Sequence, residues 1–212
     1  MINFKALYVL PILFLSSCSF ISFSDAIPLF RAAIFDPPKV IITKEEFDSR
    51  AYSFIVAQFE DGPGAIMTLS NIDENGVLEW VSAENQLIYT RNGKIILTDG
   101  LLHDFQYLDW NGENWENKAI YPSKRLVKLK NPDAIVEHLI DIEYLEAEDL
   151  ELQFKSINSA QKIREKIVIN RLKWEAENYY WLNDQALVIK TIQTLNPKLP
   201  AITVEFFYVF NS

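Results

Sequence analysis

The sequence is short of cysteine, histidine and glycine, and these shortages exclude several kinds of functional site. Its one cysteine, Cys18, can form neither an intramolecular disulfide nor a cysteine-based metal cluster. The two histidines, His103 and His138, lack the partner four residues away that a helical zinc motif needs. We therefore expect no metal site and no cofactor, and we interpret both histidines as surface or loop side chains.

Motifs that carry catalysis or phosphate binding are also missing from the sequence. None of the six glycines belongs to a Gly-x-Gly-x-x-Gly or Gly-Lys-Ser/Thr loop, and there is no Gly-x-Ser-x-Gly elbow of a serine hydrolase. A pair of carboxylates stays open as a catalytic device, because glycoside hydrolysis needs only two acids at a suitable separation. The densest acidic cluster, Glu143 to Glu151, is more simply interpreted as a solvated strand face.

Basic residues are outnumbered, 20 against 29 acidic residues. This balance disfavours a nucleic-acid partner, which would require neutralisation of phosphates, and it disfavours adsorption of the protein surface to anionic lipid. Attachment to a membrane should therefore come from the N-terminus. With 49% hydrophobic residues, the 212-residue chain has enough apolar material for one domain with a sizeable core.

The N-terminus has the pattern of an export signal. Lys5 precedes an apolar run, Ala6 to Leu15, and the run ends in Leu-Ser-Ser-Cys at Cys18. This ending resembles the bacterial lipobox, which implies diacylglycerol on the Cys18 thiol, cleavage before Cys18 and acylation of the new amine. We predict that residues 1–17 are a lipoprotein signal peptide and that residues 18–212 form a periplasmic β-rich domain.

Such an anchor would be effectively permanent, since each buried CH₂ of several acyl chains contributes about 0.8 kcal/mol. Ser19 stands where an aspartate would resemble an inner-membrane retention signal, so we expect the outer membrane. The alternative is a transmembrane anchor that runs through Phe23. It is disfavoured because a span needs about 20 predominantly apolar residues, whereas Pro11 and four serines interrupt this stretch.

The strongest strand and turn signals lie between Gly76 and Leu101. Three strand-like runs are separated by Glu84-Asn85 and by Asn92-Gly93, a dipeptide typical of a two-residue type I′ hairpin. If Glu84-Asn85 is also a two-residue loop, Trp80 lies opposite Tyr89. Neither face of this unit would be cleanly polar, which favours a curved sheet or a sandwich with both faces covered. The pairs predicted by the Asn-Gly turn are Thr90–Ile95, Tyr89–Ile96 and Ile88–Leu97.

We predict a mainly β, single domain made of a curved, wrapped antiparallel sheet, either a half-barrel or sandwich-like. Local sequence signals predict its remaining helices, loops and strands. Thr43 to Glu46 has the pattern of a capping box that opens one helical turn. A short N-terminal helix is predicted over Ala26–Ala33, and a surface loop over Leu102–Lys118. Strands are predicted at Val40–Ile42, Ala51–Glu60, Ala65–Ile72, Tyr121–Lys130, within Ala134–Ile157, over Lys162–Trp174, and along the alternation that begins at Ile202.

Two blocks of the sequence resemble one known family. The first block consists of Arg50 to Tyr52, Leu78 to Ala83, Thr90 to Ile95 and Thr98 to Leu101. The second consists of Asn178 to Asp184, Val188 to Gln193, Pro197 and Leu199-Pro200. In these segments the chain is similar to the YjbF/GfcB family of lipoproteins, associated with exopolysaccharide and group 4 capsule export. Lys94 stands where the family pattern suggests an arginine, and Asn183 where it suggests an aspartate.

The resemblance implies a non-catalytic accessory in the export or assembly of a surface polysaccharide, beside an outer-membrane barrel and periplasmic proteins. Trp110 and Trp115 lie in the polar loop, where they could stack on sugar rings or pack against a partner. Two alternatives stay open. One is a polysaccharide-modifying enzyme that uses two carboxylates, and the other is a passive envelope lipoprotein.

Overall fold

The computed structural model describes residues 40–60, 62–109 and 123–209, which form antiparallel strands and one short α-helix. The helix, α1 (Lys44–Ser49), precedes the first strand, and a 3₁₀ turn (Asn170–Leu172) precedes the eleventh. The predicted helix Ala26–Ala33 lies outside the described residues. The strands are β1 (Phe54–Phe59), β2 (Gly64–Ile72), β3 (Leu78–Ser82), β4 (Leu87–Arg91), β5 (Lys94–Asp99), β6 (Phe105–Tyr107), β7 (Ser123–Leu129), β8 (Ala134–Tyr144), β9 (Glu148–Glu151), β10 (Ser156–Ile169), β11 (Trp174–Leu182), β12 (Val188–Gln193) and β13 (Ile202–Phe207).

The sheet closes on itself as a 12-stranded antiparallel barrel. The strands follow the order β11-β12-β13-β1-β2-β3-β4-β5-β6-β7-β8-β10, and β10 then pairs with β11 to complete the ring. The mainly β architecture is confirmed, but the prediction of a half-barrel or sandwich is wrong. Closure depends on β10, whose 14 residues pair with β8, β9 and β11. Such non-local pairing leaves no signal in the local sequence.

Alternate side chains of each strand face the barrel interior. In β1 these are Ile55 and Ala57, and the neighbouring strand β13 contributes Val204 and Phe206. Fully buried aromatic side chains, among them Trp80, add to the same core. The outer side of β1 and β13 is covered as well, because α1 and the β9–β10 connection pack there. The outer cluster consists of Ile42, Phe54, Val56 and Phe207, with Phe47 and Phe154 against them.

The Asn92-Gly93 hairpin forms as predicted. Both residues have positive φ, 49° and 76°, Arg91 pairs with Lys94, and Thr90 pairs with Ile95. Beyond this pair the predicted register is wrong, because a bulge shifts the two strands between Tyr89 and Thr90. Tyr89 consequently pairs with Leu97, and Ile88 pairs with Thr98.

The turn before β4 has three residues rather than the predicted two. The Ser82 N–H donates to the Gln86 carbonyl, and Asn85 adopts the left-handed conformation with φ of 60°, as in a three-residue hairpin loop. The extra residue shifts the register, so Trp80 lies opposite Ile88 and the predicted pairing with Tyr89 is wrong. The Trp80 indole is buried and donates to the Thr90 hydroxyl at 2.8 Å.

The capping box at α1 is confirmed. The Glu46 N–H donates to the Thr43 hydroxyl, and the Thr43 N–H donates to the Glu46 carboxylate. The strand predicted at Val40–Ile42 does not form. Instead, the Val40 N–H donates to the Gln58 side chain at 3.2 Å, and Ile42 is buried in the outer aromatic cluster. The strand predicted over Lys162–Trp174 is confirmed, although the 3₁₀ turn Asn170–Leu172 divides it.

Candidate functional site

A buried polar network crosses the barrel interior and centres on Glu165. One carboxylate oxygen forms an ion pair with the Lys94 ammonium, and the other accepts from Asn178 at 2.9 Å and from the Tyr180 phenol at 2.8 Å. Glu165 comes from β10, Lys94 from β5, and the other two from β11. All four side chains are buried. The network therefore connects three strands through the barrel lumen.

Gln193 extends this network to the tip of the β4–β5 hairpin. The side-chain amide oxygen of Gln193 accepts from the Ile95 N–H at 3.0 Å, and its side-chain amide nitrogen donates to the Gly93 carbonyl at 3.0 Å. The same nitrogen lies 2.9 Å from the Thr191 hydroxyl. β12 is not a neighbour of β4 or β5 in the sheet order, so these bonds run across the barrel. The hairpin tip is thereby fixed inside the barrel against the opposite wall.

Gly93 is needed for this close approach as well as for the turn. A Cβ on Gly93 would lie 2.3 Å from a Val188 methyl group, a separation that real Cβ atoms do not show. The positive φ of 76° separately favours glycine. Residues that the family resemblance singled out, Asn92-Gly93, Lys94, Asn178 and Gln193, thus meet in one place in the fold.

The charges of this network compensate one another. Burial alone would raise the pKa of Glu165, but the Lys94 ammonium and the hydrogen bonds from Asn178 and Tyr180 outweigh it and hold that pKa below the usual range. Glu165 is 0% and Lys94 2% exposed, so solvent does not screen the pair. Chemically, this arrangement suits a fixed crosslink of the barrel better than proton transfer to a substrate, since the carboxylate is fully hydrogen-bonded and closed off from solvent.

The prediction that His138 is a surface or loop side chain is wrong. His138 is 0% exposed and lies in β8 among Phe105, Tyr107 and Trp174, with ring centres 5.9 to 6.4 Å away. Neither of its ring nitrogens has a hydrogen-bond partner within the described part of the chain. Burial lowers the pKa of His138 to about 4, with Glu165 opposing the shift and Lys94 adding to it. His138 is therefore neutral at pH 7.

His103 differs from His138 in that it lies outside the barrel core. It is partly exposed, and its Nδ1 lies 2.7 Å from the Asn131 carbonyl. The prediction of a surface or loop side chain is confirmed for this residue. Within residues 40–60, 62–109 and 123–209, no group of three or more metal-ligating side chains comes together.

Two carboxylates meet in an open hollow of about 190 Å³ that Tyr89 and Lys128 also line. Lys130 contacts both carboxylates, Asp99 and Asp104, at 3.4 Å. Asp104 also accepts from the Thr98 hydroxyl and from the N–H groups of Gly100 and Leu101. Because these donors come from the Thr98–Leu101 turn itself, Asp104 is suited to holding that turn in place.

The acidic stretch Glu143 to Glu151 is mainly solvent-exposed, as predicted for a solvated strand face. Within this stretch, Glu148 also has protein partners. The Trp181 indole donates to its carboxylate at 2.7 Å and Lys162 lies 3.0 Å away, and these contacts lower the pKa of Glu148. Both partners favour the ionised form, so Glu148 is not set up as a proton donor.

The largest of the described hollows is a groove of about 560 Å³ on the outside of the barrel. It lies between α1, the β9–β10 connection, the β11–β12 turn and the end of β13. Phe54 and Phe207 form its aromatic side, while Arg50 and Lys155 are its basic residues. The Arg50 guanidinium carbon lies 4.8 Å from the centre of the Phe54 ring, a cation–π contact. We refer to this feature as the α1 groove.

The described residues that the structure brings together, Glu165 and His138 among them, were not selected from the sequence as candidate sites. Cys18, Trp110 and Trp115 lie outside the described residues, so their roles stay predictions. Glu165 and His138 were missed, although a signal was available for Glu165. Ile163 and Ile167 flank it at two-residue spacing, which places the acid on the inward face of a strand. No helix within the described ranges is long and apolar enough to cross a membrane.

Comparison with known proteins gives consistent matches. Residues 28–207 match the sequence profile of the family described as group 4 capsule polysaccharide lipoprotein gfcB, YjbF. The uncharacterized lipoprotein GfcB of Escherichia coli (strain K12) is 26% identical over 86 residues, which are 41% of this chain and only 39% of that protein. The crystal structure of the hypothetical lipoprotein YmcC from Escherichia coli (K12) is similar with a TM-score of 0.68 and 16% identity. That similarity covers 90% of this chain and 98% of the YmcC chain, and it supports the fold.

Proposed function

Because the chain belongs to the YjbF family of group 4 capsule polysaccharide lipoproteins, we propose that it is a non-catalytic accessory in the export or assembly of a surface polysaccharide. The observation that carries the proposal is the family match, which extends over residues 28–207 and so includes all 13 strands of the described residues. The barrel supports it, since the polar groups within the lumen hold strands together and are closed to solvent.

The absence of a catalytic role is part of the proposal and rests on the chemistry of the carboxylates. Glu165 is buried and fully bonded, and Asp104 is committed to a turn. A general acid at neutral pH needs access to the substrate and a raised pKa, whereas Glu165 is closed off from solvent and its pKa is held below the usual range. The Asp104 side chain is also buried.

We further propose that Cys18 carries the lipid anchor and that the domain lies in the periplasm at the outer membrane. The lipobox-like ending at Cys18 supports an anchor, and the family description names a lipoprotein. A fixed tether would keep the barrel next to an outer-membrane export channel and its periplasmic partners. Trp110 and Trp115 are proposed as contacts to the polysaccharide or to such a partner.

The test is disruption of the gene, followed by complementation. Loss of the protein should lower surface polysaccharide, and the unaltered chain should restore it. A Cys18→Ala chain should move to the soluble periplasmic fraction and restore less, because the tether is lost. A Trp110→Ala/Trp115→Ala chain should remain in the membrane fraction and also restore less. Unchanged surface polysaccharide in the disrupted strain would contradict the proposed function.

A further inference from the structure

We propose that the α1 groove binds a uronate-bearing segment of a polysaccharide. The inference rests on the proposed function and adds to it a binding site and a ligand chemistry. The groove combines features that sugar recognition uses. It is a hollow of about 560 Å³ whose lining includes aromatic rings together with charged and amide side chains.

The charges at the groove favour an anionic ligand. Arg50 and Lys155 line it against a single acid, Asp48, on a chain whose net charge is −9. Neither cation has an ion-pair partner within 4.0 Å among the described residues, and the Arg50 Nε atom is buried without a hydrogen-bond acceptor. Elsewhere lysines such as Lys162 and Lys190 are each paired with a glutamate. A ligand carboxylate would supply the acceptor that the two groove cations lack.

The aromatic side of the groove is fixed in place. Phe54 and Phe207 stack with ring centres 4.9 Å apart, and Phe47 of α1 meets both edge-on at 5.9 and 5.4 Å. Phe154 of the β9–β10 connection packs on Phe47 at 4.8 Å. Because these rings support one another, the groove is preformed. Binding would not have to overcome the ordering of its walls.

The β11–β12 turn gives the groove an amide edge. The side-chain amide oxygen of Asn183, Oδ1, accepts from the N–H groups of Gln185 and Leu187, which fixes the turn. The side-chain amide nitrogen of Asn183, Nδ2, has no hydrogen-bond partner in the described part of the chain, whereas its backbone N–H donates to the Leu187 carbonyl. Asn183 and Gln185 both line the groove. Amide groups at the edge can donate to and accept from sugar hydroxyls, so the groove offers partners to both the carboxylate and the hydroxyls of a uronate.

The experiment measures binding of two size-matched probes by calorimetry, with the full mature lipoprotein in a nonionic detergent. The acidic probe is a hexamer of galacturonate, and the neutral probe is maltohexaose. We expect the acidic hexamer to bind at least tenfold more tightly. An Arg50→Gln/Lys155→Gln variant should lose at least tenfold of the affinity for the acidic hexamer, since hydrogen bonds and ion pairs to a charged ligand are removed.

The matched control is Arg171→Gln/Lys198→Gln, which removes the same two kinds of charge from exposed positions that do not line the groove. It should bind the acidic hexamer within threefold of the unaltered protein. Circular dichroism melting should show both variants folded, since neither pair of side chains is in the barrel core. Equal binding of the two probes, no binding of the galacturonate hexamer, or unchanged affinity in the groove variant would overturn the inference.

The two proposals fail in different ways. If gene disruption lowers surface polysaccharide but the groove variant binds and complements like the unaltered chain, the groove inference fails and the export function stands. If disruption leaves surface polysaccharide unchanged while the groove retains its selectivity, the export function fails instead.

Discussion

Two lysine–glutamate pairs in this barrel have the same chemistry and very different surroundings. Lys94 and Glu165 meet inside the lumen, where their side chains are 2% and 0% exposed. Lys124 and Glu137 meet on the outer wall at 3.1 Å, where their side chains are 69% and 47% exposed. Water screens the outer pair, whereas the inner pair depends on protein partners alone.

The difference shows what a charged residue contributes in each place. Asn178 and Tyr180 donate hydrogen bonds to the second oxygen of Glu165. Removal of any side chain of this network would therefore leave a buried polar group without a hydrogen-bond partner. No comparable network surrounds the outer pair within the described residues. The inner pair should therefore determine whether β5, β10 and β11 stay in place, and the outer pair should affect stability little.

The largest effect is expected from Lys94→Met. It leaves the Glu165 carboxylate buried without its counter-ion, and breaking a buried pair in this way costs about 3–5 kcal/mol of the free energy of unfolding. Urea unfolding followed by tryptophan fluorescence measures the loss. As a control, Lys94→Met/Glu165→Leu should lose less than Lys94→Met alone, because it removes both charges. If Lys94→Met alone lowered the free energy of unfolding by less than 1 kcal/mol, the Lys94–Glu165 pair would not be a buried ion pair.

The next largest effect is expected from Gly93→Ala at the hairpin tip. Left-handed strain of about 1–2 kcal/mol adds to overpacking of about 1–3 kcal/mol against Val188, so we expect a loss of about 2–5 kcal/mol. Gly76→Ala is the matched control, since Gly76 has a φ of 75° and open space around its Cβ position. Equal losses in the two variants, measured by urea unfolding, would contradict the insertion of the hairpin tip.

His138 should make the interior sensitive to acid. Its folded pKa of about 4 lies below the ordinary 6.5, so the unfolded chain takes up the proton first and stability is lost as pH falls through this window. Between pH 7.5 and 5 the loss is about 2 kcal/mol. His138→Leu should remove this contribution, so that the unfolding free energy of the variant falls less over the same range. Parallel pH profiles for the two proteins would exclude a neutral buried His138.

The smallest effect is expected from Lys124→Ala on the outer wall. An exposed pair contributes about 0.2–1 kcal/mol, and added salt reduces even that. Unfolding in urea at low and at high salt measures the difference. If Lys124→Ala lowered the free energy of unfolding as much as Lys94→Met does, the proposed difference between the buried and the exposed lysine–glutamate pair would be wrong.

Much of the local structure could be predicted from the sequence, because it depends on neighbouring residues. The capping box at Thr43, the Asn92-Gly93 turn and the strand preference of Lys162–Trp174 all formed as expected. The register failed after one pair, since a bulge after Tyr89 and a third loop residue at Asn85 leave only weak signals. The site was predicted less well. Glu165 and His138 matter through contacts that lie far apart in the chain.

The sequence by itself determined where most of the strands form, and its family resemblance determined which residues belong together in a signature. Only the tertiary structure decided that β10 joins β11 to close the ring and that the Gly93 tip lies inside it. It also decided that His138 is buried and that the rings around Phe54 border a groove. The physical reason is the separation along the chain of the residues that each feature depends on. Turns and strand alternation depend on adjacent residues, whereas closure and burial depend on strands brought together from distant parts of the chain.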